Sequence, residues 1–214
     1  MTRVDSRRRP NAAQRRHQLC DAAITLLAED GPRGLSHLKV DRRAGVPDGT
    51  TSFYYRTRVA LLQGVADHLA RYDAEAFAQA FDDVPDGAGD DLLPMLAEQV
   101  LLVRDEPHLS RTRARLELTM LAKGDAGIAA GFQQVSESYR ALTERLVTAM
   151  QNGLTAPLDR SLLDEQVSVV LTYLSGLVFA FANGSTEPMT SRDIQRQIRA
   201  VVIGVAAERL SQTS

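Results

Sequence analysis

The stretch from Gly34 to Tyr55 constrains this chain more than any other, because it reads as two short helices around a tight turn. Ser36 can cap the first helix, its hydroxyl accepting a free N–H of the first turn, and Leu38 and Val40 give that helix an apolar side. Gly45 follows Ala44 where a helix stops, since a residue without Cβ enters the left-handed conformation at little cost. Val46 fills the corner. After Pro47, Asp48 is a suitable N-cap, and Gly49-Thr50-Thr51-Ser52-Phe53-Tyr54 gives about two turns of helix. Hydroxyls at its start and aromatic rings at its end suit the major groove of a duplex, where a helix start meets base edges. The arrangement is a helix-turn-helix; its plain alternative is a helical corner with no partner.

The rest of the chain also reads as helix. Asn11 with Gln14 forms a capping-box pattern, and Leu19, Ala23, Leu26 and Leu27 recur at helical spacing, giving a first helix over about 12–29 that Gly31, Pro32 and Gly34 bring to an end. Cys20 reads as packing and His17 as surface or a phosphate neighbour, not as metal ligands. Thr57 can cap a long helix from Arg58 to about Phe81, with Leu61, Leu62, Val65, Leu69, Tyr72 and Ala76 along one face. It joins head to body and is the expected transmission element. A loop at 82–91 precedes helices at about 90–104, 109–123 and 126–152, the first two separated by Asp105-Glu106-Pro107 and the third ending near Gly153. Ser161 with Asp164, and Thr190 with Asp193, start the last two, at about 161–183 and 191–212. Nine helices and no strand make the fold class all-α. The helix at 161–183 is apolar almost all round and needs partners on two sides. Pairing the last two helices with a symmetry mate as a four-helix bundle would cover Leu171, Leu174, Val178, Ile194, Ile198, Val201 and Val205; the alternative is that both are internal core.

Charge divides the chain at about the same place. Residues 1–58 carry 12 Lys/Arg against 6 Asp/Glu and residues 59–214 carry 13 against 21, so a head of +6 is joined to a body of −8. That split points to a polyanion as the head's partner, although charged runs also serve as solvated faces. Residues 1–10, with Arg3, Arg7, Arg8 and Arg9, offer no apolar surface to bury and are expected as a disordered basic arm, which either follows phosphates or only solubilises. The lone Cys20 cannot form an internal disulfide and no secretory signal opens the chain, so the expected compartment is the cytoplasm. Val167 to Thr186 runs 20 residues without a charge. Its hydroxyls, Asn183 and Gly184, and the lack of close basic flanks, argue against a membrane span. With no Gly-rich phosphate loop, paired-His zinc motif or Gly-x-Ser-x-Gly elbow, no catalytic site, metal or cofactor is expected, and the chain is not read as an enzyme.

Together these residues resemble a known family. Ala22-Ala23 and Leu26-Leu27, then Gly31, Arg42-Arg43-Ala44-Gly45-Val46, Gly49-Thr50, an aromatic pair, and Arg58 before Leu61-Leu62 are similar to the TetR-type transcriptional regulators over about residues 12–65. The resemblance implies an N-terminal three-helix DNA-binding domain followed by a larger helical domain that binds a small molecule and dimerises. Beyond residue 65 it rests on architecture alone. It departs at Thr51 and Ser52, where the family has an aliphatic residue and then Tyr, so the family's phosphate-binding tyrosine is missing at Ser52 and Tyr54 or Tyr55 are the alternatives. Leu38 stands where some members place a base-contacting arginine.

The combined expectation is a basic arm at 1–10, a helix-turn-helix domain at 11–58 and a helical ligand-binding and dimerisation domain at 59–214. A homodimer would read a palindromic double-stranded DNA operator, repression being the favoured direction, and an unidentified small-molecule effector would release it. Thr50, Thr51, Phe53 and Tyr54 are the expected base readers. His37, Ser52, Tyr55, Arg56, Arg58 and the arm are placed on phosphates, with Arg42 and Arg43 beside them. Met and aromatic side chains at helical spacing usually fill cores, yet Phe77, Phe81, Met95, Met120, Phe132, Tyr139 and Tyr173 are the candidates to line a ligand cavity. Arg113 and Glu117, four apart, read either as a surface pair, the favoured reading, or as groups that orient a polar ligand. From a different class, the alternative is a helical small-molecule-binding or scaffolding module without DNA-binding activity.

Overall fold

The computed structural model describes residues 11–81, 83–85, 89–151, 159–185 and 188–212. The expected basic arm, and the helix end expected at 152–153, lie outside these residues. Among them the chain forms α1 (Ala12–Gly34), α2 (His37–Ala44), α3 (Thr50–Tyr54), α4 (Arg58–Phe81), α5 (Gly89–Leu102), α6 (His108–Ala122), α7 (Ala126–Gln151), α8 (Arg160–Ala182) and α9 (Ser191–Gln212), and the fold is all-α.

Local side chains set most of the helix starts. The Asn11 side chain accepts the Gln14 N–H at 2.8 Å while the Gln14 side chain accepts the Asn11 N–H at 3.0 Å, and Thr190 and Asp193 make the same reciprocal pair before α9. Ser36 caps α2, and Thr57 accepts the Ala60 N–H in the first turn of α4. The helical dihedrals of α1 break at Gly31, with φ 65°, and Pro32–Gly34 add a further turn beyond that kink. At α8 the cap is Asp159 rather than Ser161: its carboxylate accepts the Ser161 N–H at 2.9 Å.

Two apolar clusters hold the helices. One, around Leu19, Leu27, Leu61, Val65 and Leu69, is built by α1, α2 and α4, and also takes Ala114 and Leu118 from α6 and Ile128 from α7. The other gathers Phe81, Leu93, Leu146, Val167, Ile194 and Ile198 from the end of α4 and from α5, α7, α8 and α9. Helix α6 links the two. Its apolar side enters the first cluster, Arg115 makes a two-pronged ion pair with Asp73 of α4, and Arg113 Nε donates to the Ala182 carbonyl at the end of α8 at 2.7 Å.

The second cluster corrects part of the expected dimer face. Ile194 and Ile198 are fully buried within the chain and Leu174 nearly so, whereas Leu171, Val178, Val201 and Val205 are half-buried. Helical periodicity finds an apolar stripe without saying whether the chain itself or a second copy covers it. By length and composition α8 could cross a membrane; in this fold it packs between α7 and α9 on its inner side.

Gln166 carries a buried polar bridge. It is 1% exposed, accepts from the Gln151 amide of α7 and donates to the Val202 carbonyl of α9 at 2.7 Å. Gln166→Ala is expected to lower the unfolding free energy by about 3 kcal/mol, since it opens a cavity and strands the buried Gln151 amide. Urea denaturation measures this, and a loss below about 1 kcal/mol would show that the bridge does not hold the three helices together.

Candidate nucleic-acid interface

The geometry of α2 and α3 rests on a buried carboxylate. Asp41 is 1% exposed. One of its oxygens accepts the Thr51 N–H at 2.7 Å and the Thr51 hydroxyl at 2.5 Å, and the other accepts the Gly49 N–H at 2.7 Å. Free N–H groups at a helix start carry partial positive charge, so a carboxylate there both satisfies and neutralises them. The cap of α3 therefore comes from the preceding helix, not from Asp48, which is exposed. Gly49, with φ 92°, is the residue at the cap position. The turn before it depends on Gly45, whose φ of 65° favours glycine. There the Gly45 N–H reaches the Arg42 carbonyl at 3.2 Å and the Val46 N–H the Asp41 carbonyl at 3.0 Å.

Tyr55 locks the other end of α3. Its ring lies against Gly64 of α4, where a Cβ would stand 2.4 Å from Tyr55 Cε1, so only glycine leaves room for it. Its hydroxyl meets Cys20 Sγ at 3.2 Å, and its carbonyl accepts from His37 Nε2 at 2.7 Å. Burial pushes the Cys20 thiol up to about 11 and raises the Tyr55 hydroxyl as well, so both stay protonated at neutral pH. Between α1 and α4, buried His68 donates from Nε2 to Asp21 at 2.9 Å while Arg71 donates to its Nδ1. Burial alone would raise the Asp21 carboxyl, but hydrogen bonds from His68 and Tyr72 outweigh it and hold it below the usual range.

These contacts divide the expected DNA-binding residues. Thr51, at 0% exposed, and Tyr55 face inward and cannot meet bases or phosphates as they stand. His37 is half-buried and engaged with the Tyr55 carbonyl. Ser52 and Phe53 face out, Phe53 at 77% exposed, and half-buried Tyr54 stacks edge-on against Phe53 with centroids 5.2 Å apart. Thr50 donates its hydroxyl to the Pro47 carbonyl at 2.6 Å. Among the described residues Arg42 and Arg56 are exposed and unpaired, whereas Arg43 is held in a fork by Glu29 and Arg58 donates to the Pro32 carbonyl. Sequence reasoning missed Arg16, whose guanidinium lies 5.4 Å from the Tyr54 ring centroid, and exposed Arg33. Neither stands in the turn motif, and only the fold shows where they lie. Leu38, expected to help bury α2, is exposed instead.

The expected ligand-cavity residues do not converge. Phe77 stacks with Phe81 and with Tyr139, centroids 5.2 and 5.3 Å apart, and the Tyr173 hydroxyl donates to Gln197. Met95 lines a hollow of 410 Å³ with Pro94 and Glu98. Phe132 packs on the first cluster instead, and Met120 is 80% exposed. Arg113, Glu117 and Met120 line a different hollow of 400 Å³, beside Ala28 of α1 and Phe179 of α8. The favoured surface pair of Arg113 with Glu117 does not form; Arg113 turns to the end of α8 instead. Among the described residues no group of three or more His, Cys, Asp and Glu is placed to hold a metal ion.

Replacing Asp41 by Asn takes away an acceptor for one N–H of α3 and the charge that strengthens the others. The head is expected to lose about 2 kcal/mol of stability, the range for hydrogen bonds to a charged group. Chemical denaturation followed by circular dichroism measures it, and an unchanged midpoint would mean that α3 does not depend on this cap.

No family model matches the sequence, and no curated protein does. Solved structures do match the fold. A TetR-like transcriptional regulator from Rhodococcus sp. RHA1 superposes with a TM-score of 0.68 at 16% identity, over 92% of this chain and 99% of that one. A TetR transcription regulator from Haloarcula marismortui gives 0.64 at 17% identity, over 91% and 96%. A protein named as a transcriptional regulator from Saccharomonospora viridis, crystallised in complex with choline, gives 0.71 at 11% identity, over 89% and 96%. The arrangement of the described helices is thus that of one architecture: the chain has the TetR-family fold.

Proposed function

We propose that this chain is a DNA-binding transcriptional regulator acting as a homodimer. The observation that carries the reading is α3. Five residues are too few to hold a helix by themselves, yet here they are fixed from behind by a buried carboxylate and by Tyr55. The side chains turned outward are Ser52, Phe53 and part of Tyr54. A corner that only packed the core would turn its ring inward. Phe53 offers an apolar face for a thymine methyl and Ser52 a hydroxyl for a base edge. Arg16, Arg33, Arg42 and Arg56 are the phosphate partners, which fix register and supply most of the salt-sensitive affinity. The fold it shares with proteins named as transcriptional regulators supports the same reading.

The dimer is proposed to form on the outer faces of α8 and α9. Val169 and Phe179 on α8 and Ile203 on α9 are exposed, Ile203 at 66%, and large apolar side chains in the open on adjacent helices mark an association surface. A symmetry mate would close them into a four-helix bundle, and the two heads would then meet half-sites of a palindromic operator about 34–36 Å apart. In the cytoplasm, a small effector bound to the body would favour a head arrangement that misfits the operator, lifting repression through a coupling of about 1–3 kcal/mol. Because α6 packs on α1, α4 and α8, it is the transmission element proposed here, together with α4.

In titrations at fixed salt against a duplex selected from a random pool, Phe53→Ala is expected to weaken binding about tenfold, within the range for one base contact. Arg42→Ala should reduce the slope of log affinity against log salt by about 1. If the intact chain shows no salt-sensitive DNA binding, the alternative of a ligand-binding or scaffolding module takes its place. Val169→Glu combined with Ile203→Glu should give monomers in sedimentation, and a surviving dimer would contradict the proposed bundle.

A further inference from the structure

We propose that the hollow between α1, α6 and α8 is a binding site for a small zwitterion of the α-amino acid class. Arg113 and Glu117 lie four residues apart on α6, so their Cβ atoms are about 5–6 Å from each other, a spacing at which opposite charges ordinarily pair. Here they are drawn apart. Arg113 Nε is held at 2.7 Å by the Ala182 carbonyl that ends α8. Glu117 turns the other way and lies over the α1 kink, where a Cβ built on Gly31 would be 3.8 Å from its nearer carboxylate oxygen. Among the described residues the terminal guanidinium nitrogens of Arg113 and both carboxylate oxygens of Glu117 have no polar partner.

The two charges line one hollow of 400 Å³, at the small end of the roughly 300–1,000 Å³ typical of ligand sites. Ala28 and Leu116 line it too, and Met120 and Phe179 add an apolar rim. A carboxylate would sit in the guanidinium fork and an ammonium on Glu117, while a hydrocarbon side chain lay against Met120 and Phe179. A phosphate or other dianion would meet Glu117, a simple cation would meet Arg113, and an uncharged apolar molecule would leave both charges unmatched. A molecule carrying both signs a few ångströms apart satisfies all the walls. It would bridge α1 beside Gly31 and the end of α8, joining the reading head to the proposed dimer helix. That regulatory consequence rests on the reading of the chain as a regulator; the binding itself does not.

Calorimetric titration of the full chain with the aliphatic and aromatic L-amino acids tests the site, followed by the N-acetyl and the carboxamide forms of the tightest binder. The free amino acid is expected to bind, with each capped form at least tenfold weaker. In Glu117→Gln, which leaves the Arg113 bond to Ala182 in place, N-acetylation should cease to matter while amidation still weakens binding. Ala28→Met should abolish binding by filling the hollow, with a parental melting temperature confirming the fold of both variants. No binding by any of these amino acids up to about 1 mM, where a complex is held by only about 4 kcal/mol, would overturn the proposal. So would an N-acetylation penalty that persists in Glu117→Gln. The titration contains no DNA, so its failure and the failure of the regulator reading are read separately.

Discussion

A single buried carboxylate decides the shape of the α2–α3 corner. Asp41 accepts two backbone N–H groups and one hydroxyl at the start of α3, and that stretch has little else to make it helical. Its five residues include two β-branched threonines and two aromatics, all weak helix formers. Tertiary contacts therefore supply the order, with Asp41 at one end and Tyr55 wedged against Gly64 at the other. Because the inner side of α3 is fully engaged, its outer side chains are fixed in direction. A reading surface needs that fixity, since base contacts discriminate only when their donors and acceptors are pre-positioned.

The second organising feature is that head and body share a core. Leu118 and Ala114 of α6 and Ile128 of α7 sit among the apolar residues of α1 and α4, and the ion pair of Arg115 with Asp73 fastens α6 to α4. A packed interface of this kind passes displacement on as a rigid step rather than absorbing it, because close-packed interiors yield little. In the regulator reading, movement of α6 would reach the head by way of α1 as well as along α4. In the same reading the split of charge would turn the basic part of the chain to a polyanion and keep the acidic part away from it.

What the sequence made legible was local. The Asn11–Gln14 box, the Ser36 and Thr57 caps, the Gly45 stop and the Thr190–Asp193 pair each join residues a few positions apart, and each shows in the spacing of residue types. The helices followed from them and from apolar periodicity. Asp41 was not legible as a cap because its partners lie eight and ten residues on, and next to Arg42 near the end of a short helix it reads as one more surface charge. Tyr54 and Tyr55 look alike in the sequence, and Gly64, the residue that admits one of them to the core, stands nine positions later. The stripes of α8 and α9 were visible, but Ile194 and Ile198 turned out to serve the chain's own core while Ile203 faces outward. Periodicity fixes a face only relative to its own helix axis.

The proposed regulator requires α3 and the proposed dimer to act together on a duplex. Hydroxyl-radical footprinting of the full chain on a selected DNA fragment tests both at once. Two protected patches on one side of the helix, separated by about one turn of 10–10.5 base pairs or a multiple of it, are the expected result. A lone patch, or uniform cleavage at protein concentrations that saturate the fragment, would contradict it.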